Sequence, residues 1–95
     1  MTTRDEYVEK LKNAIDEINT KVDELESKAH QTQAEMKAEI EEKVAPVKEQ
    51  LKPLASKLEQ WKDESDEKLE EYAKEAKKIR DAFVHSYHYF LSQIK

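Results

Sequence analysis

Cysteine and glycine are both absent from this 95-residue chain, and only two prolines occur, Pro46 and Pro53. Without cysteine there is no disulfide framework, no thiol nucleophile and no thiolate metal site. Without glycine, the residue that most often closes a helix is missing, and so is any glycine-rich phosphate loop. Both absences suit long uninterrupted helices. No stretch approaches the roughly 18 apolar residues that a membrane span needs. The opening Met1-Thr2-Thr3-Arg4-Asp5-Glu6 has no apolar leader region, so a soluble, cytoplasmic protein is expected. A surplus of basic residues is also lacking. The net charge of −5 argues against nucleic acid, whose binding relies on Lys and Arg to release counterions.

What is present is charge, at 41% of residues against 37% apolar, where an ordinary domain is roughly 25% charged. Such a composition leaves disorder or helices with narrow buried seams, and the apolar pattern decides for helices. Val8, Leu11, Ile15, Ile18, Val22, Leu25 and Ala29 step by three and four in strict alternation. That heptad spacing lines one helix face and supports knobs-into-holes packing. Thr2 or Thr3 can cap its start, with Asp5 and Glu6 facing the positive end of the helix dipole.

After Ala29 the rhythm changes. Met36, Ile40 and Val44 step by four, followed by Val47, Leu51, Leu54, Leu58 and Trp61, while Met36, Val47, Leu58 and Leu69 recur at eleven. An eleven-residue period relaxes a left-handed supercoil. Interior proline costs about 3 kcal/mol in a helix, so Ala45-Pro46, reinforced by Pro53, marks one candidate break. Lys62-Asp63-Glu64-Ser65-Asp66 marks another, where Asp63 or Ser65 can cap a new helix. The reading is a single all-α coiled-coil domain over residues 1–95. It has a helix over 3–44, a break within 45–53, and helices over 54–62 and 65–94, joined or separate.

Charge suggests the topology. Residues 1–42 carry six cations against twelve anions, whereas residues 43–62 carry five against two. A hairpin folding near Pro46 sets the acidic arm beside Lys48, Lys52, Lys57 and Lys62, and avoids like charge against like. The fold class expected is therefore long amphipathic helices in an antiparallel coiled-coil hairpin or helical bundle. One hairpin has a narrow core, so a homo-oligomer, dimer or tetramer, is favoured. A monomeric three-helix bundle is the alternative.

Candidate chemistry is sparse. The pairs Glu6–Lys10, Glu17–Lys21, Glu24–Lys28, Glu39–Lys43, Glu64–Lys68 and Glu70–Lys74 stand four apart, where each stabilises an exposed helix by roughly 0.2–0.5 kcal/mol. The carboxylates lie on outward faces without the shared cleft that acid–base catalysis needs. No nucleophile–base set is evident, so no catalytic residue, metal or cofactor is expected. His85 and His88 share a helix face, yet a metal site there needs further ligands from elsewhere. Surface or interface histidines are the plainer reading. From Ala82 to Ile94 the chain carries no formal charge at neutral pH, and its apolar residues spread around the helix. Such a segment packs at an interface, inserts into a membrane surface, or caps the chain's own core. The interface residues expected are Val8, Leu11, Ile15, Ile18, Val22 and Leu25 from the seam, with Phe83, Tyr87, Phe90, Leu91 and Ile94 from the tail.

Two resemblances bear on function. Thr3-Arg4-Asp5-Glu6-Tyr7-Val8-Glu9-Lys10-Leu11-Lys12 and Asp23-Glu24-Leu25-Glu26-Ser27-Lys28-Ala29 resemble a family of short bacterial coiled-coil stress-response proteins. Pro46, Pro53 and the aromatic tail depart from that pattern. The resemblance implies a non-enzymatic, cytoplasmic helical oligomer connected with stress, and it carries no catalytic residues. Val44-Ala45-Pro46-Val47-Lys48-Glu49-Gln50-Leu51 and Lys52-Pro53-Leu54-Ala55 resemble the proline-punctuated repeats of exchangeable apolipoproteins. That second resemblance implies an amphipathic lipid-surface binder, with residues 36–61 or 82–94 on the membrane.

Overall fold

The stripe from Val8 to Ala29 lies along one helix, α1 (Thr3–Ala29). The structure is a computed structural model that describes residues 3–94, apart from the side chain of Thr3. The expected threonine cap therefore lies outside the described residues. After α1 come α2 (Ala34–Glu59), a single 3-10 turn (Trp61–Asp63) and α3 (Asp66–Gln93). There is no strand among the described residues. Three helices pack as a bundle about 47 × 19 × 16 Å. The long axis matches one helix of 27 residues, roughly 40 Å at 1.5 Å per residue.

Direction follows from the contacts. Glu26 of α1 pairs with Lys48 of α2 at 2.8 Å, and Lys57 of α2 lies 6.0 Å from the Tyr72 ring of α3. Each step to the next helix reverses the chain, so α1 and α3 run parallel. Their register is constant. Tyr7 and Glu70 line one groove, Glu17 pairs with Arg80, and Tyr87 hydrogen-bonds Glu24, always the same distance apart along the chain.

The core is apolar throughout, with no buried polar or charged residue among those described. Leu11, Ala14, Ile15, Ile18, Val22, Leu25 and Ala29 of α1 meet Ile40, Val44, Leu51 and Leu54 of α2 and Ala73, Ala76, Phe83 and Phe90 of α3. Each fully buried Leu, Ile, Val or Phe contributes about 1.5–3 kcal/mol. An exposed ion pair such as Glu26–Lys48 contributes at most about 1 kcal/mol. Core burial therefore sets the fold, and the ion pairs trim it.

Three boundaries differ from the sequence reading. The helix expected over 3–44 is two helices, because His30-Gln31-Thr32-Gln33 turns the chain. The amides of Gln31 and Thr32 donate to the carbonyls of Lys28 and Ala29, closing that turn without glycine. The break expected within 45–53 is absent, since Pro46 and Pro53 both lie inside α2. They are seven residues apart on the exposed face, so the carbonyls of Glu42 and Glu49 that lose their helical partners can be hydrated. Residues 54–62 are not a separate helix but mostly the end of α2. The hairpin gives way to the three-helix bundle, and the eleven-residue pattern is cut by the second turn before Leu69.

The second turn lies where the sequence placed it. Ser65, not Asp63, caps α3, its Oγ accepting from the Lys68 amide at 3.2 Å. Arg4 closes this end of the bundle. Its Nη2 donates to the carbonyls of Trp61 (2.7 Å), Lys62 (2.9 Å) and Glu64. The guanidinium carbon stands 5.7 Å from the centre of the Trp61 ring. Those carbonyls belong to the 3-10 turn and the link that follows it, so one side chain of α1 ties down the second turn.

Because both prolines sit in an intact helix, Pro46→Ala and Pro53→Ala should each stabilise the fold by about 1–3 kcal/mol in urea denaturation. A loss of stability in both would instead mean that the prolines set a curvature the core requires.

Candidate functional site

The uncharged end of α3 divides into two faces. Phe83 and Phe90, seven residues apart, point inward and are each 2% exposed. Tyr87, Leu91 and Ile94 are half-buried, with Tyr87 and Ile94 packed against the core. The opposite face carries Ala82, His85, His88, Tyr89, Ser92 and Gln93, all exposed. At 54%, Tyr89 is the exposed large hydrophobic residue among those described. Its ring meets that of Phe90 edge to face at 5.4 Å, so it stands on the core without entering it. The Ser92 hydroxyl is turned back onto the Tyr89 carbonyl at 2.7 Å, which leaves the strip less polar than its composition suggests.

The contrast with the rest of the same helix is sharp. On the outward face upstream stand Glu67, Glu71, Lys74, Glu75, Lys78 and Asp81, every one charged and exposed. From Ala82 to Gln93 no outward residue carries a formal charge at neutral pH. The flanks of the strip are charged again. On one side a shallow groove brings Glu39, Glu42 and Lys43 of α2 beside His85 and Tyr89. On the other, Glu17, Arg80 and Asp81 lie beside His85 and His88.

The interface residues expected from the sequence are placed differently. Leu11, Ile15, Ile18, Val22, Leu25, Phe83 and Phe90 are buried in the chain's own core. Val8, Tyr87, Leu91 and Ile94 are half-buried. The seam is thus closed within one chain. The outward residues include Ala82 and Tyr89, which the sequence reading named only within its uncharged segment, and His85, which it read as a surface or interface histidine. Their signal was present in the charge pattern, since the last charge before the strip is Asp81.

Other clusters are ion-pair networks. A groove of about 570 Å³ between α1 and α3 is floored by Ala14 and Ala73 and lined by Lys10, Lys74, Lys77 and Arg80. Glu70 pairs with Lys74 at 3.0 Å and Glu17 with Arg80 at 3.5 Å. The hydrogen bond from Lys74 holds the Glu70 carboxyl below its ordinary range and raises Lys74 in return. Of the helical pairs expected, Glu17–Lys21 (3.7 Å) and Glu70–Lys74 are closed. His85 and His88 do not join a metal cluster. Among the described residues no group of three or more His, Cys, Asp or Glu is placed to hold a metal ion. His88 instead meets the Tyr87 ring edge-on at 5.5 Å.

Tyr87 ties the tail to α1. Its hydroxyl donates to the Glu24 carboxylate, and Lys21 Nζ lies 5.0 Å from its ring centre. The hydrogen bond to Glu24 raises the phenol above its ordinary value of 10.0, with burial and the charge of Glu24 adding to the effect.

No helix among the described residues is long and apolar enough to cross a membrane. Comparison with protein-family models, curated proteins and solved structures found no match to this chain. The class that can be stated is an all-α three-helix bundle, and its function is argued from the surface just described.

A raised tyrosine pKa has a definite sign for stability. The unfolded phenol ionises first, so the Tyr87 contribution is complete below about pH 10 and is lost as pH rises through the folded value. Tyr87→Phe should cost about 1 kcal/mol at neutral pH and lose less melting temperature than the native chain between neutral and strongly alkaline pH. An equal alkaline loss in both chains would remove Tyr87 as its source.

Proposed function

We propose that this chain is a non-enzymatic interaction protein that works by associating with itself, in the stress-connected setting that its N-terminal resemblance implies. The observation that carries this reading is the division of the C-terminal segment of α3. One face completes the core, while the other exposes Tyr89 on a strip without charge. Tyrosine is enriched at protein interfaces and charge is depleted at their centres. An exterior that is otherwise covered with Lys and Glu makes such a strip the place where another surface can approach without desolvating ions. The grooves between helices support the same reading. They are open, and cations such as Lys74 and Arg80 are matched by neighbouring carboxylates rather than directed at a bound molecule.

The lipid-surface alternative, over residues 36–61 or 82–94, depends largely on apolar residues that the bundle already uses: in the tail Phe83 and Phe90 are buried, which leaves Tyr89. Ile40, Val44, Leu51 and Leu54 of α2 are buried, so residues 36–61 can meet lipid only if α2 leaves its partners.

The test is molar mass by light scattering over a concentration series on the intact chain. Truncation at Asp81 is unsuitable, because it removes Phe83 and Phe90 from the core. Mass should rise with concentration from one chain toward two. Vesicles of neutral or anionic lipid should leave helicity and Trp61 emission unchanged. A single-chain mass at every concentration, with a Trp61 shift on lipid, would replace self-association by membrane binding.

A further inference from the structure

Self-association leaves open which surface pairs and in which direction. Resting on that reading, we infer that two copies pair through the outer strip of α3, antiparallel, with Tyr89 of each copy against His85 of the other. The occupant is a second copy of this chain because charge disfavours the remaining faces for a like partner. The exposed residues of α1 and of the first half of α2 include Asp16, Asp23, Glu24, Glu35 and Glu41, and the second half of α2 exposes Lys48 and Lys52. Two copies pairing like face to like face there set carboxylate against carboxylate or ammonium against ammonium. The strip has no charge with which to repel its own copy.

Direction follows from the same helix. A parallel pairing continues upstream and lays Glu67, Glu71, Glu75 and Asp81 against their own copies. Like charges directly opposed are destabilising. An antiparallel two-fold pairing covers the strip with itself and carries the charged half of each α3 away from the other. In that register Ala82 faces Ser92 and Gln93, and the small Ala82 side chain allows close approach. The Tyr89 hydroxyl and the His85 imidazole, both exposed, supply a donor–acceptor pair twice over, once on each side of the axis.

Size sets the strength. Residues 82–93 extend only about 16 Å along the helix, too short for the roughly 1,200 Å² of a stable interface. The pairing is therefore weak and reversible, with a dissociation constant on the order of 10 μM to 1 mM. Protein concentration controls the assembled fraction.

Sedimentation equilibrium on the native chain, on Tyr89→Lys and on Lys78→Ala tests the surface. Tyr89 is more than half exposed, so Tyr89→Lys should melt with the native chain while its dissociation constant rises at least about tenfold. Lys78→Ala, on the charged half of the same face, should leave association unchanged. Direction is read by oxidative cross-linking, which the cysteine-free sequence makes specific. A mixture of His85→Cys and Tyr89→Cys chains should cross-link in excess of either alone. A native dimer that survives Tyr89→Lys would overturn the strip as the interface while leaving self-association standing. Cross-linking dominated by each variant with itself would overturn the antiparallel direction. A native chain monomeric throughout would remove self-association and this inference together.

Discussion

Packing on the apolar stripe of α1 is the constraint on which the rest of the structure depends. Leu11, Ile18 and Leu25 are fully buried, Ile15 and Val22 nearly so, and Ala14 is buried beside them, so the covered face is broader than the seam that a single partner fills. Two partners are needed, and the chain supplies both. Once α2 and α3 lie on α1, the short turns at 30–33 and 60–65 force an up-down-up order. The parallel register of α1 and α3 then fixes which surface side chains meet. Tyr7 with Glu70, Glu17 with Arg80 and Tyr87 with Glu24 are consequences of that register. Each is too exposed to impose it.

The same constraint explains why proline is tolerated and why the tail is divided. A helix held by Ile40, Val44, Leu51 and Leu54 is stable enough to carry Pro46 and Pro53 on its far side, where the lost hydrogen bonds face water. A helix held by Phe83 and Phe90 has one inward face and so must have an outward one. At this end the outward face happens to be uncharged. Function, in this account, lies in what the core leaves over.

Much of this was legible in the residues. The seven-residue stripe of α1, a cap at Asp63 or Ser65, the all-α class and the anomaly of residues 82–94 all follow from spacing and charge. The first turn did not, because His30-Gln31-Thr32-Gln33 holds neither glycine nor proline, while two prolines nearby drew the break to the wrong place. The missing beat was there, since a continued seam needs an apolar side chain at Thr32 or Gln33 and finds none. Phe83 and Phe90 were assigned to a partner for a related reason. A lone hairpin would have left Phe83 and Phe90 to a partner chain, whereas a third helix gives them a core within the same molecule. What then remains outside is Tyr89, which sequence spacing alone does not separate from its neighbours.

The central claim is that the chain reverses at residues 30–33, so that the start of α2 and the end of α3 meet. Gln31 and Gln93 line one groove at that end. Single cysteines introduced at both positions of this cysteine-free chain allow spin labels to report their separation at low protein concentration. The bundle predicts a distribution at the short-distance limit of the method. A hairpin folded at Pro46 and Pro53, with one helix running through residue 31, would hold the two labels roughly 40 Å apart, and that result would contradict the account.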